Sequence, residues 1–143
     1  MNILERVRCF LRKYWDVLVY LLFGGLTTLV NFLVYFPMYN WLCLSATFSN
    51  VVAWAVAVIF AYLTNKPFVF HSRDWSVRVV LPEFAKFLGC RTGSGLLETA
   101  AIWLTVDCLN FDGNIMKILV SVVVVVLNYI ASKWFVFAKS HRE

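Results

Sequence analysis

The sequence predicts an all-α integral membrane protein whose four transmembrane helices form two parallel-repeat helical hairpins, preceded by an amphipathic interfacial helix. Three observations carry this expectation. The chain is 62% hydrophobic and only 15% charged over 143 residues, too little polar surface for a soluble domain of that size. The stretch 115–137 repeats 48–70 when shifted by 67 residues: Lys133, Phe135, Val136 and Phe137 fall on Lys66, Phe68, Val69 and Phe70, and Tyr129, Val125 and Val123 on Tyr62, Val58 and Val56. Valines recur in any two apolar segments, so the Tyr-x3-Lys-x-Phe-Val-Phe echo is the informative part. Outside the apolar runs, Lys and Arg occupy the amino-terminal segment, the central connector and the carboxyl end, while the turns 42–47 and 107–114 contain none. The positive-inside rule puts all three basic segments, and therefore the N- and C-termini, on the cytoplasmic side, which gives the two hairpins one orientation.

The corresponding organisation is an amphipathic cytoplasmic-face helix over 1–16 and a single membrane domain over 17–143. Within it, repeat one spans 17–70, the connector 71–84 and repeat two 85–137. In the first segment Arg6, Arg8, Arg12 and Lys13 are interleaved with Ile3, Leu4, Val7, Phe10, Leu11 and Tyr14 at helical spacing, the pattern of a helix lying on a membrane surface. The apolar run that follows is longer than a signal-peptide core and lacks a small-x-small cleavage pattern, so the segment reads as uncleaved.

The first span is expected over about 17–41, with Pro37 marking where it frays or kinks. Gly24, Thr28 and Asn31 share one of its faces, a stripe suited to packing helix on helix with Asn31 as an interhelical hydrogen bond. The second span, about 48–64, ends at Asn65-Lys66-Pro67, where Lys66 and the flanking aromatics suit the headgroup boundary. The third, about 85–106, is interrupted by Lys86, Arg91 and Glu98, each costing about 2.5 to 3.5 kcal/mol near a helix centre, so something must compensate them. Arg91, Gly95 and Glu98 fall on Gly24, Thr28 and Asn31 in the 67-residue register, so the stripe recurs and is charged only in the second copy. The fourth span starts near Lys117, the counterpart of Asn50, and carries Asn128 deeper and Lys133 at its end.

A net charge of +5 does not indicate nucleic acid, because the charges sit in short segments between apolar runs and form no basic face on a soluble scaffold. Cys9, Cys43, Cys90 and Cys108 show no metal-ligand spacing; buried apolar thiols are the default, and a Cys43–Cys108 disulfide is open only if the side they share is oxidising. His71 and His141 lie in polar segments without a nucleophile or metal partner, so neither enzymatic activity nor a cofactor is expected.

With these residues in view, namely Phe23-Gly24-Gly25-Leu26-Thr27-Thr28-Leu29-Val30-Asn31, Asn65-Lys66-x-x-Val69-Phe70 and Lys133-Trp134-Phe135-Val136-Phe137, the chain resembles the GtrA-like family of small bacterial membrane proteins over about 17–138. The second half, from Glu83-Phe84-x-Lys86-Phe87 through Arg91, Glu98, Lys117 and Asn128-Tyr129 to Lys133, is most similar to members tied to teichoic acid or other cell-wall glycosylation. Pro67 departs from the aromatic that its repeat partner Trp134 supplies. The resemblance implies a place in the bacterial cytoplasmic membrane and the flipping of a polyprenyl-phosphate-linked sugar for lipid-dependent glycosyltransferases. The implied partners are that lipid, the surrounding membrane lipids and those enzymes.

The residues allow a compatible chemistry. Arg91 suits the phosphate, Glu98 and the asparagines Asn31, Asn65 and Asn128 suit sugar hydroxyls, and Lys66 and Lys133 would draw the anionic head in. The opposing reading is that Arg91, Glu98 and Lys117 merely satisfy one another between helices. Two other functions stay open: an anchor or partner subunit for a polyprenyl-phosphate glycosyltransferase, and a small multidrug exporter, against which the Arg and Lys argue because they repel cationic drugs. A homo-oligomer is also expected, since four helices scarcely enclose a sugar head while shielding three charges from lipid.

Overall fold

A computed structural model describes residues 2–68 and 71–140, with the side chains of Asp16, Val17, Tyr20 and residues 128–140 outside the description. Five α-helices follow one another: α1 (Ile3–Lys13), α2 (Trp15–Asn40), α3 (Ala46–Phe68), α4 (Val77–Ile102) and α5 (Gly113–Ser140), with a π-helical segment, Trp103–Cys108, continuing α4. In α1 the Asn2 backbone N–H donates to the Glu5 carboxylate at 3.2 Å, and no residue of this helix is buried. Its apolar positions, such as Ile3 and Phe10, remain exposed.

The helix starts are fixed by polar side chains. Asp107, at the end of the π-helical segment, accepts the N–H groups of Ala46 at 3.3 Å and Thr47 at 3.0 Å together with the Thr47 hydroxyl, so its charge sits on the positive end of α3. Asp112 does the same for α5, accepting the N–H groups of Asn114 and Ile115 at 2.9 Å each. Asn40 and Asn114 exchange amide hydrogen bonds of 2.8 and 3.0 Å beside these caps. Helix α2 runs past Pro37 to Asn40, and the Trp41 N–H bonds back to the Pro37 carbonyl at 2.9 Å, so the proline is absorbed in the last turn. The turns after α2 and after the π-helical segment each use a left-handed residue, Cys43 at φ 52° and Asn110 at φ 57°, positions equivalent in the 67-residue register.

Helix α3 is the centre of the bundle, packed on α2, α4 and the π-helical segment. Its buried face is a run of small residues, Ala46, Ala53, Ala57 and Ala61, which lets neighbouring backbones approach closely. Tyr35, Ile102 and Val106 complete the core, and the Tyr35 hydroxyl donates to the Gly113 carbonyl at 3.1 Å. Gly113 is required there: a Cβ would lie 2.3 Å from the Tyr39 ring. The close approaches are therefore made by the alanines of α3 and by Gly95 and Gly113. Gly24, Gly25, Gly89 and Gly93 have nothing within 4 Å of a would-be Cβ.

This architecture corrects the expected four transmembrane helices in two hairpins. Among the described residues, two helical stretches are long and apolar enough to cross a membrane, Leu21–Asn40 and Ala46–Phe68. Helix α4 holds Arg78, Glu83, Lys86, Arg91 and Glu98 within 26 residues, which leaves its windows too polar, and the apolar stretch Gly113–Leu127 of α5 is shorter than a span. The caps and amide bonds described above also join one half of the chain to the other, so the halves form one five-helix bundle. The four cysteines are free thiols and exposed, against the expectation of buried thiols and against a Cys43–Cys108 bridge.

Candidate functional site

Two hollows that share one lining residue lie along the same face of α4. The deeper one, about 130 Å³, is formed where Thr27, Thr28 and Asn31 of α2, Trp54 and Ala57 of α3, Arg91, Gly95 and Glu98 of α4 and Ser121 of α5 converge. The second, about 520 Å³, lies towards the connector and is lined by Tyr62 and Lys66 of α3 and by Glu83, Lys86, Phe87, Cys90 and Arg91 of α4. Arg91 lines both. Arg91, Ser94, Gly95 and Glu98 share a face because α-helical residues three, four and seven apart do.

The compensation for the charges is unequal. Glu98 accepts the Lys117 ammonium at 2.6 Å and the Ser121 hydroxyl at 2.9 Å, both through Oε1. Lys117 is fully buried and donates a second bond of 2.6 Å to the Asn50 side-chain oxygen, with the Tyr35 ring centroid 5.2 Å away and that of Phe32 at 5.8 Å. Asn50 in turn donates to the Thr99 hydroxyl at 2.9 Å. Arg91 has no carboxylate partner among the described residues, and its guanidinium lies 5.5 Å from the Phe87 ring centroid. Pairing therefore satisfies Glu98 and Lys117 and leaves Arg91 open to an anion.

The polar lining of the deeper hollow has spare capacity. Thr27 and Thr28 spend their hydroxyl protons on carbonyls one turn back, Phe23 at 2.7 Å and Gly24 at 3.1 Å, which leaves oxygen lone pairs available. The Asn31 side-chain oxygen is buried without a hydrogen-bond partner, and Glu98 Oε2 makes no hydrogen bond among the described residues. A buried amide oxygen left unpaired is costly and marks a place where a ligand or water donates. Gly95 sits where a Cβ would lie 2.2 Å from the Trp54 indole nitrogen, so the hollow has a flat indole wall only because that position is glycine.

At the connector end, Lys66 is 1% exposed, with its ammonium 2.6 Å from Glu83 Oε2 and 2.8 Å from the Ser72 hydroxyl. Ser72 donates to the other Glu83 oxygen at 3.0 Å, and the Tyr62 hydroxyl is within 3.3 Å of both Glu83 Oε2 and the Val80 carbonyl. The bonded Lys66 ammonium holds the Glu83 carboxyl below its ordinary range. Asn65 beside it is buried, its side-chain oxygen unpartnered. Asn128 and Lys133 fall on α5 outside the described side chains.

Of the residues singled out from the sequence, the structure brings Asn31, Arg91 and Glu98 into one hollow with Lys117 behind it, and sets Lys66 and Asn65 at the connector end. Asn50, Trp54 and Ser121 are additions. The 67-residue register pointed to Asn50 as the partner position of Lys117. Nothing in the sequence marked Trp54.

Residues 19–137 match the family described as GtrA/DPMS, transmembrane domain. The chain belongs to this family. Among its relatives, the uncharacterized membrane protein YwcD of Bacillus subtilis is 33% identical over 125 residues, covering 87% of this chain and 98% of its own. The cell wall teichoic acid glycosylation protein GtcA of Listeria monocytogenes is 32% identical over 139 residues, 94% of this chain and 92% of its own. Its namesake in Listeria innocua is 30% identical over 141 residues, 95% and 94% respectively. No solved structure matches. As a member of the GtrA/DPMS transmembrane-domain family the chain is a membrane protein. No cluster of potential metal ligands exists among its described residues.

Proposed function

We propose that the protein translocates a polyprenyl-phosphate-linked sugar across the bacterial cytoplasmic membrane to supply cell-wall polymer glycosylation, with both termini and the connector on the cytoplasmic side. The observation that carries this reading is an arginine without a carboxylate partner among the described residues, lining both a small hollow with polar groups and a wider one within the helical bundle. A sugar-phosphate head is anionic and rich in hydroxyls, and it cannot cross hydrocarbon unaided. Arg91 binds the phosphate by charge-assisted hydrogen bonds, while the Asn31 oxygen and Glu98 Oε2 accept from sugar hydroxyls. Lys117 acts behind them, holding the Glu98 carboxylate in place through its 2.6 Å contact.

Asn65 serves the approach of the head from the connector side, with Lys66 held in place beside it by Glu83 and Ser72, and Asn128 and Lys133 are assigned to the same task on the sequence pattern alone. The names of the Listeria relatives support the link to teichoic acid glycosylation. Glycosyltransferases that use the translocated lipid are the functional partners, and a homo-oligomer gives the apolar outer faces of α4 and α5 a neighbour other than lipid.

The test is translocation in proteoliposomes. A radiolabelled polyprenyl-phosphate hexose is loaded in both leaflets, and impermeant periodate oxidises only outward-facing headgroups. Wild-type protein should expose nearly all the label and Arg91→Gln only the outer-leaflet share. Equal exposure with Arg91→Gln removes Arg91 from the mechanism. No exposure with wild-type protein, together with a stable complex with a glycosyltransferase, would establish the partner-subunit reading instead.

A further inference from the structure

We propose that the wider hollow between α3 and α4, walled by Tyr62, Phe87 and Cys90, binds the first isoprene units of a prenyl phosphate, so that lipid, phosphate and sugar lie in that order along α4. This deepens the proposed function and rests on it for the identity of the ligand.

The argument is one of what each hollow has left to offer. In the wider hollow the polar groups are consumed by one another: Lys66 by Glu83 and Ser72, Ser72 by Glu83, and the Tyr62 hydroxyl by Glu83 and the Val80 carbonyl. Apart from the cations Lys86 and Arg91, what remains is apolar, the rings of Tyr62 and Phe87, whose centroids are 5.8 Å apart, and the exposed Cys90 thiol. A sugar ring placed there would lose hydration on its hydroxyls without partners, whereas a branched hydrocarbon chain loses nothing and gains burial.

The deeper hollow offers the reverse, an unpartnered Asn31 oxygen and a free Glu98 oxygen. Its volume of about 130 Å³ is of the size that admits a single six-membered ring. Arg91 lines both hollows, and Lys86 lines the wider hollow; neither has an ion pair among the described residues, so the charge there is complementary to a phosphate. From Phe87 to Glu98 is roughly 16 Å along the helix, enough for an isoprene unit, a phosphate and one ring in sequence.

Cys90 provides the probe. In full-length protein in detergent carrying Cys9→Ser, Cys43→Ser and Cys108→Ser, alkylation of Cys90 by N-ethylmaleimide should be slowed by farnesyl phosphate. Only unoccupied protein reacts, so the rate falls about tenfold at a concentration about nine times Kd. Hexose 1-phosphate, which has no lipid, should leave the rate unchanged, and phosphatidylglycerol at the same concentration should do no better.

Protection by hexose 1-phosphate would put the sugar in this hollow and overturn the assignment. Equal protection by phosphatidylglycerol would reduce the hollow to an ordinary lipid contact, also overturning it. Cys90→Trp, which fills the hollow, should weaken farnesyl phosphate binding measured by native mass spectrometry, and unchanged binding refutes the proposal by a route independent of alkylation. If the labelled lipid is translocated in proteoliposomes while Cys90 stays fully reactive, this inference fails and the proposed function stands. If Cys90 is protected and no lipid is translocated, the lipid site stands and the transport reading fails.

Discussion

Removing the charge of Glu98 should damage the fold far more than removing that of Arg91, and the two effects can be separated. Lys117 is fully buried and Glu98 is 13% exposed, and their 2.6 Å contact is the only ion pair Lys117 makes among the described residues. Taking away one member of such a pair leaves an uncompensated charge and costs about 3 to 5 kcal/mol. Glu98→Gln keeps an acceptor for Lys117 and Ser121, so the lower figure applies, and a loss of about 3 kcal/mol corresponds to roughly 6 to 12 °C in Tm for a chain of this length. Adding Lys117→Met removes the stranded charge and should restore all but about 1 kcal/mol, because replacing both members of a buried pair is often near neutral. Arg91→Gln loses only the Phe87 contact, about 0.5 to 1 kcal/mol, and so should shift Tm by no more than about 4 °C while abolishing translocation. The assay is thermal unfolding of each purified variant in one detergent, followed by fluorescence-detected gel filtration. A Glu98→Gln protein as stable as wild type, or a double variant less stable than Glu98→Gln, would refute the reasoning.

Three further outcomes are expected. Gly95→Ala drives a methyl into the Trp54 indole and should destabilise by about 1 to 3 kcal/mol, seen as a lower Tm with altered Trp emission; an unchanged spectrum counts against that packing. Cys43→Asn, which installs at a left-handed position the residue found at the equivalent turn, should raise stability by up to about 1 kcal/mol, and a lower Tm would mean the turn is not as described. The Glu83 carboxyl is held low by the bonded Lys66 ammonium, so its contribution is present above the ordinary carboxylate pKa and is lost as pH falls through the lower folded value. The stability gap between wild type and Glu83→Gln should therefore be full at about pH 7 and close only below the ordinary carboxylate range, and a gap that does not vary with pH contradicts this.

Much of the site was legible because charges in an apolar helix are costly and therefore conspicuous. The seven-residue spacing of Arg91 and Glu98 placed them on one face of a helix before any geometry was known, and the register with Gly24 and Asn31 marked the equivalent face of α2 as the same stripe without charge. The division between Glu98, which is paired, and Arg91, which is not, was not legible, because it depends on which turn of α5 lies beside α4. The same holds for Lys66, whose sequence context suits a headgroup anchor but whose ammonium is turned inward onto Glu83. The helices also run further than hydropathy suggested, α3 beginning at Ala46 because Asp107 caps it from another element and α4 beginning at Val77, well inside the polar connector. Span counting failed on α4 for the reason that made the site visible: its charges lower its hydropathy.

The 67-residue register also explains why the hollow exists where it does. Its lining resolves into equivalent positions from the two halves: Thr27 with Ser94, Thr28 with Gly95, Asn31 with Glu98, Trp54 with Ser121, Ala57 with Val124 and Val58 with Val125. Lys117 touches Asn50, its own equivalent, and a residue meets its counterpart only where the two halves face each other. A hollow between equivalent surfaces carries no net charge of its own unless the halves differ in charge, and here they differ in charge at three places. Asn31 became Glu98, Asn50 became Lys117, and these two changes cancel as a buried pair. Gly24 became Arg91, which has no ion pair among the described residues. The divergence of the repeat therefore leaves one cation, Arg91, without an ion pair among the described residues at the wall of the hollow, and this is the electrostatic ground for the anion site proposed above.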